Sequence, residues 1–232
     1  AVFAVMCGVT LLIGRLASLD RPTMMAVLLT AVFANSGNYG LPLVSFAFGE
    51  EALAHATLYF VTTSILMNTA GVLIASLGHL NLKEAALGMF KVPTVYAVIL
   101  AALLNQFQVV LPVPLERTIN LAAQGAIPLM LILLGVELAR VQWSHSLRAL
   151  GLGAGLRLLA APLVGLLLAI PFGLTGAARQ GTLTETAVPA AVTNAVLATE
   201  YKLDTSLVTA IIFIGTILSP LTLTPLLLYL GK

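Results

Sequence analysis

The sequence predicts an all-α integral membrane protein, and three observations lead to this prediction. Hydrophobic residues make up 59% of the 232 residues, and charged residues make up only 9%. The mean hydropathy is +1.05. A soluble domain has roughly 25% charged residues, so this chain cannot cover its surface in water.

A membrane-spanning helix needs about 20 mainly apolar residues, and eight stretches of the chain approach this requirement. They are residues 1–17, 23–47, 52–77, 93–110, 116–139, 148–172, 176–199 and 205–230. Most connections between them are short and contain charges or proline. Residues 79–92, which begin HLNLKEAALGMF, are amphipathic instead, and we interpret them as a cytoplasmic interfacial linker at the midpoint of the chain.

The composition also excludes several classes of protein. A net charge of +2 without a basic run argues against nucleic-acid binding. The single cysteine, Cys7, lies in an apolar run, so we expect neither a disulfide nor a thiol metal site, and no cofactor. The chain starts at Ala1 inside a hydrophobic segment without a charged region before it, which indicates a truncated protein rather than a signal peptide.

The positions of the basic residues predict the orientation in the membrane. If eight spans alternate, seven basic residues lie on one side, three lie on the other, and Arg157 lies inside a span. The seven are Arg15, Arg21, Lys83, Lys91, Arg140, Arg148 and Lys202, and the three are Arg117, Arg179 and Lys232. The side with seven is predicted to be cytoplasmic, in the inner (plasma) membrane, which places the C-terminus outside.

The second span contains an unusual polar stretch, ANSGNYGLP, at residues 34–42. Pro42 removes a hydrogen-bond donor and clashes with the preceding turn, and the glycines let the backbone leave helical geometry. Asn35 and Asn38 supply side-chain partners for the freed backbone groups. We therefore predict a broken helix over 23–47 that stops near Gly37 and restarts near Pro42.

The seventh span, 176–199, has a comparable interruption. Pro189 lies near its middle, Glu185 precedes it, and Thr193 and Asn194 follow it. Four predicted spans lie between the second and the seventh, so these two broken spans cross the membrane in opposite directions. Paired interrupted segments in inverted halves are the best sequence indicator of a secondary transporter's binding site. The N-termini of half-helices there suit an anionic substrate.

At these residues the chain resembles the auxin efflux carrier family, which includes bacterial malonate- and malate-type permeases. The resemblance rests on NSGNYGLPL followed by FGEEA, on IPLMLILLGVEL at 127–138, and on AVPAAVTNAVLATEYKLD and TILSPLTLTPLLLYL. Asn35 stands seven positions before Pro42, as the family's asparagine does before its crossover proline.

The resemblance implies a ten-helix inverted-repeat fold, related to bile-acid symporters, with two broken crossover helices and an elevator-like mechanism. The eight spans would then be its last eight helices. Core helices would occupy 1–78 and 142–232, and scaffold helices would occupy 93–141. In relatives the scaffold helps to form a homodimer, so a dimer is a possible partner state besides the small anion and the lipid bilayer.

Several residues are candidates for the substrate site. They are Asn35, Asn38, Gly40, Pro42, Pro189, Thr193, Asn194 and Arg157. The alternative for the amides is that they only satisfy the broken backbone. Arg157 either clamps a carboxylate substrate or forms a structural pair with Glu185, and we favour the pair slightly.

Other residues are candidates for ion or proton coupling. Glu185 lies roughly 13 Å into its span at ~1.5 Å per residue. An intramembrane carboxylate marks a proton or cation site by default. Ser64 and Asn68 follow the first break and are weaker candidates, so coupling to H⁺ or Na⁺ is possible.

Two other functions compete with a carrier. An intramembrane enzyme is disfavoured, because the sequence has no pair of central aspartates, no HExxH motif and no GxSxG motif. A facilitator, channel or membrane sensor that retains the carrier fold stays open. A channel predicts a continuous polar face, whereas the polar residues here cluster at two breaks.

Overall fold

A computed structural model describes residues 1–75, 93–139 and 146–231. The predicted linker 79–92 lies outside these residues. Within them every regular element is helical. The α-helices are α1 (Val2–Leu16), α2 (Arg21–Val32), α3 (Leu41–Leu66), α4 (Val72–Ala75), α5 (Pro93–Gln106), α6 (Val113–Leu138), α7 (Leu147–Gly155), α8 (Ala161–Ala169), α9 (Gly176–Ala187), α10 (Thr193–Glu200) and α11 (Thr205–Leu230). In this described part of the chain, three π-helical segments, Ser36–Gly40, Met67–Gly71 and Leu156–Ala160, join some of the helices.

Among the residues that the structure describes, three helical stretches are long and apolar enough to cross a membrane, which agrees with the predicted class of protein. They are Ser36–Ala75, Leu147–Ala169 and Thr205–Leu230. The first is in fact two helices, because Gly49 has a non-helical φ of 77° and ψ of −165° inside it. A left-handed φ is readily adopted by glycine alone, so the chain turns there. This turn lies between the two predicted spans 23–47 and 52–77.

The predicted break in the second span is confirmed, but its start is earlier than expected. α2 ends at Val32, not near Gly37, and Phe33 is already extended with φ −97° and ψ 112°. The helix resumes with the π segment Ser36–Gly40 and then α3, in whose first turn Pro42 lies. The predicted stop was wrong because it assumed that only local glycine and proline end the helix.

The second broken helix supplies the reason for the early stop. α9 ends at Ala187, Val188 is extended, and α10 starts at Thr193. Ala34 and Ala190 form an isolated antiparallel bridge. The amide of Asn35 donates to Pro189 O at 2.8 Å, and the amide of Ala191 donates to Phe33 O at 2.9 Å. Each break therefore satisfies the backbone of the other, as a membrane interior requires.

The helices around the crossing differ sharply in burial. Every residue of α2 from Met24 to Val32 is buried, and α9 packs closely on α3. By contrast, α5 and α6 expose many large apolar side chains, among them Leu100 and Leu121. The crossing thus lies in the packed interior, and the surface of α5 and α6 suits contact with lipid or protein. The predicted core and scaffold limits stay a prediction.

Candidate functional site

A cavity of about 280 Å³ opens at the crossing of the two broken helices. It is bounded by the first break, by α3 and the π segment after it, by α6 and by the start of α10. Its polar lining residues are Asn35, Ser36, Asn38, Thr63, Ser64, Asn68 and Thr193. Its larger apolar lining residues are Phe33, Phe60, Met67 and Met130. It combines apolar walls with a few convergent polar groups, as small-molecule sites do.

The structure brings some of the predicted site residues together at this cavity. Asn35, Asn38, Ser64, Asn68 and Thr193 line it. The other six predicted residues are not among its lining residues; they are Gly40, Pro42, Pro189, Asn194, Arg157 and Glu185. Of these, Pro189 belongs to the backbone bridge, and Pro42 is buried in the first turn of α3.

The buried amides of Asn35 and Asn194 have different roles. Asn194 Nδ2 donates to Phe33 O at 3.2 Å, so this side chain caps the backbone of the opposite break. Asn35 Nδ2 is buried and has no hydrogen-bond partner within the described part of the chain. An unsatisfied buried donor is costly and needs an explanation. Because Asn35 lines the cavity, a bound ligand is one source of the missing acceptor.

The Glu185 carboxylate lies behind the first break. Glu185 is fully buried, and neither carboxylate oxygen has a hydrogen-bond partner in residues 1–75, 93–139 and 146–231. The Ser36 hydroxyl lies beside the carboxylate without closing a hydrogen bond to it. An ideal Cβ on Gly40 would lie 2.4 Å from Glu185 Oε2, so the carboxylate occupies space that only glycine leaves open.

Arg157 does not form the predicted pair with Glu185. Its guanidinium donates to backbone carbonyls, including Val188 O at 3.0 Å and Ala31 O at 3.1 Å. The interpretation as a structural ion pair therefore needs correction. It failed because backbone carbonyls at the ends of two helices can accept hydrogen bonds from a buried guanidinium as well as a carboxylate can. These carbonyls come together only in the folded protein, so the sequence does not reveal them.

Ser64 and Asn68 lie one turn apart on the helix that follows Gly49. Asn68 Nδ2 donates to Ser64 O at 2.8 Å, within the π segment Met67–Gly71 that disturbs the regular helical bonds. Part of the hydrogen-bonding capacity of Asn68 is thus used by its own helix. The Ser64 and Asn68 side chains face the cavity, and Glu185 is not among its lining residues.

Several lining residues were not among the predicted site residues, including Ser36, Thr63 and Phe60. Ser36 is buried and lies both at the cavity and beside Glu185. Its place between Asn35 and Gly37 in the polar stretch was a usable signal. Thr63 belongs with Thr62, Ser64 and Asn68 to an unusually polar part of its span, which was also a signal. Phe60 carried none, because an aromatic residue in a span is ordinary and only the packing of α3 turns it towards the crossing.

A second cavity, of about 440 Å³, lies on another side of the crossing. It is lined by α1, α3, α8 and α9, mostly through apolar residues, and it includes Thr62. Its larger volume does not make it the better candidate, because it shares only Phe33 and Thr63 with the first cavity and contains none of the amides of either break.

Comparison with known proteins identifies relatives of this chain. A family model described as "Membrane transport protein" matches residues 1–227. The chain is 32% identical over 214 residues to an uncharacterised transporter from Methanothermobacter thermautotrophicus, covering 90% of this chain and 69% of the relative. It is 27% identical over 204 residues to an uncharacterised transporter from Methanocaldococcus jannaschii, covering 85% of this chain and 65% of the relative.

The family match covers nearly the whole chain, and both relatives are named as transporters. The protein is therefore a membrane transporter rather than an enzyme. This family is the one that the sequence motifs at the two breaks resemble. The chain, whose two broken helices cross beside the cavity, therefore belongs to the membrane transport protein family of auxin efflux carriers.

Proposed function

We propose that this chain is a secondary carrier of a small organic anion, such as a mono- or dicarboxylate or an auxin-like acid. The cavity at the crossing is its binding site. One observation carries the proposal: two breaks more than 140 residues apart in the sequence meet at one cavity, and a buried amide donor there has no protein partner among the described residues.

The chemistry of the cavity suits a small carboxylate. Asn35 lines the cavity and its buried Nδ2 has no partner among the described residues. Thr193 is the first residue of α10, where the helix N-terminus carries partial positive charge. Phe33 and Phe60 offer apolar surface to a short carbon skeleton. The volume of about 280 Å³ is at the lower limit of ligand pockets, which run from about 300 to 1,000 Å³.

Glu185 is the proposed site of ion or proton coupling. A fully buried ionised carboxylate without a partner costs several kcal/mol, so an ion should accompany it when the site is occupied. Ser36 lies beside this carboxylate and also lines the cavity. It would therefore couple the charge state of Glu185 to ligand binding in the cavity. Ser64 and Asn68, which line the cavity, are also proposed to take part in ion coupling. The coupling ion would be H⁺ or Na⁺.

The remaining features of the proposal concern the whole transporter. We place the chain in the inner (plasma) membrane with eight spans of a ten-helix inverted-repeat fold and the C-terminus outside. The core, 1–78 and 142–232, would move against the scaffold, 93–141, in an elevator-like alternating-access cycle. The exposed apolar surface of α5 and α6 supports a scaffold that faces lipid and a possible homodimer partner. A facilitator would use the same site without an ion.

Asn35→Ala is expected to weaken anion binding roughly 10- to 100-fold, because a hydrogen bond to a charged group contributes about 1.5–3 kcal/mol. The measurement is thermal unfolding of purified protein in detergent, titrated with malonate, malate, succinate and indole-acetate. Ligand at 100 times its Kd stabilises the folded state by about 2.7 kcal/mol. Thr193→Ala is expected to act in the same direction with a smaller effect.

The matched control is Thr62→Ala. Thr62 lies two residues before Ser64 on the same helix, bonds its own helix at Leu58 O, and lines only the larger cavity. It should leave the anion titration unchanged. If Thr62→Ala and Asn35→Ala weaken binding equally, the cavity at the crossing is not the anion site.

A further inference from the structure

Among the residues that the structure describes, Arg157 is the largest fully buried side chain, with 1% of its surface exposed. It lies on the π segment Leu156–Ala160, in the middle of a membrane span. Placing arginine at the centre of a transmembrane helix is energetically unfavourable. Its hydrogen bonds must offset that cost, so its partners indicate what it does.

All the hydrogen bonds that the structure gives Arg157 go to backbone carbonyls of the two broken helices. Nε donates to Val188 O at 3.0 Å, and Nη2 donates to Thr186 O. Nη1 is shared between Ala31 O at 3.1 Å and Val32 O at 3.4 Å. The guanidinium thus joins residues that are 125 and 31 positions away along the chain.

These acceptors are the C-terminal ends of α2 and α9. Ala31 and Val32 are the last two residues of α2, and Thr186 and Val188 flank the last residue of α9. Carbonyls at a helix C-terminus lack partners within the helix. Each helix end also carries a partial negative charge of about half an elementary unit. Two such ends that meet in a low-dielectric interior repel each other unless a cation lies between them.

The same two segments continue directly into the cavity. Immediately after α2 come Phe33, Ala34 and Asn35, and after Val188 comes the extended segment in which Ala190 forms a bridge with Ala34. Any change in the distance between the two helix ends therefore moves the cavity lining. Arginine suits this position because its planar fork can reach several acceptors at once, whereas lysine offers one point charge.

We propose that Arg157 is a positioning residue. It binds the C-terminal ends of α2 and α9 together and so keeps the extended segments that follow these helices in register at Ala34 and Ala190. It does not touch the substrate. This deepens the proposed function, because the segments held are those of the proposed anion site. The clamp itself can be tested without any substrate, so its failure and the failure of the anion proposal are distinguishable.

The bridge between the two breaks offers a direct reporter of their register. Ala34 and Ala190 face each other as a pair without mutual hydrogen bonds, since the bonds run between their neighbours. In such pairs the Cα atoms are about 4.5 Å apart, within the disulfide range of about 4.4–6.8 Å. With Cys7 replaced by serine, Ala34→Cys and Ala190→Cys should form a disulfide rapidly under a membrane-permeant oxidant.

The experiment measures, by mass spectrometry, how fast this disulfide bond forms. It compares the double-cysteine protein that retains Arg157 with the same protein carrying Arg157→Lys or Arg157→Met. Each variant is assayed at the same interval below its own Tm, so that a general loss of stability cancels. Arg157→Met is expected to slow the reaction at least tenfold. Arg157→Lys keeps the charge but cannot span both helix ends, so its rate should be intermediate.

The control is Thr30→Val, which removes a buried hydroxyl from α2 that bonds only Ala26 O and Val27 O of its own helix. Its disulfide should form at the parental rate. Parental rates in Arg157→Met would overturn the proposal. If that variant does not fold, Arg157→Lys decides: a rate equal to that of arginine would refute a clamp that depends on the guanidinium fork, and a slower rate supports it.

Discussion

Gly181→Ala is expected to destabilise the protein by about 1–3 kcal/mol, the usual cost of overpacking a well-packed core. An ideal Cβ at Gly181 would lie 2.3 Å from Ala52 O and 3.0 Å from Ala56 N. Both obstacles are backbone atoms of α3, so no side-chain rotation relieves the clash. α9 would have to move away from α3, and the position of Glu185 on α9 would move with it.

The measurement is thermal or denaturant unfolding of the detergent-purified protein. Gly151→Ala in α7 is the matched control, because no heavy atom outside its own helix lies within 4 Å of an ideal Cβ there. It should be neutral or stabilising by up to about 1 kcal/mol, through the higher helix propensity of alanine. Equal destabilisation by both substitutions would show that the close contact of α9 and α3 is not maintained.

Glu185→Gln is expected to remove the dependence of stability on the coupling ion. The wild-type carboxylate is fully buried and unpartnered among the described residues, so it is unfavourable without a neutralising ion. Glutamine keeps the shape and removes the charge. The variant should therefore be at least as stable as wild type in sodium-free buffer, whereas sodium at 100 times its Kd should stabilise the wild type by about 2.7 kcal/mol.

This prediction is checked by thermal unfolding in sodium chloride and in choline chloride at equal ionic strength, repeated at several pH values. Glu50→Gln is the control for loss of one carboxylate, since Glu50 is exposed at the turn after Gly49. A pH-dependent difference between wild type and Glu185→Gln, without a sodium effect, would identify a proton as the ion. Destabilisation of Glu185→Gln by the same amount under all conditions would contradict a coupling role.

Features that depend on local chemistry were predictable from the sequence. The membrane environment follows from composition. The two breaks follow from proline, glycine and asparagine in otherwise apolar spans, because hydrocarbon tolerates freed backbone groups only where the protein pairs them. Candidates such as Asn35 and Thr193 were found for the same reason, since a polar side chain at a break is conspicuous within an apolar sequence.

Features that depend on distant partners were decided by the tertiary structure. α2 ends at Val32, before the glycines, because Phe33 and Asn35 pair with a segment more than 150 residues away. The same packing gives Asn194 Nδ2 an acceptor at Phe33 O, and it leaves Asn194 Oδ1 and Asn35 Nδ2 without a partner among the described residues. It also directs Arg157 to carbonyls of both half-helices instead of Glu185.

By itself the sequence determined that this chain breaks two helices inside a membrane. Which polar groups are left to bind something depended on how those breaks meet, because hydrogen-bond satisfaction is a property of pairs and not of single residues.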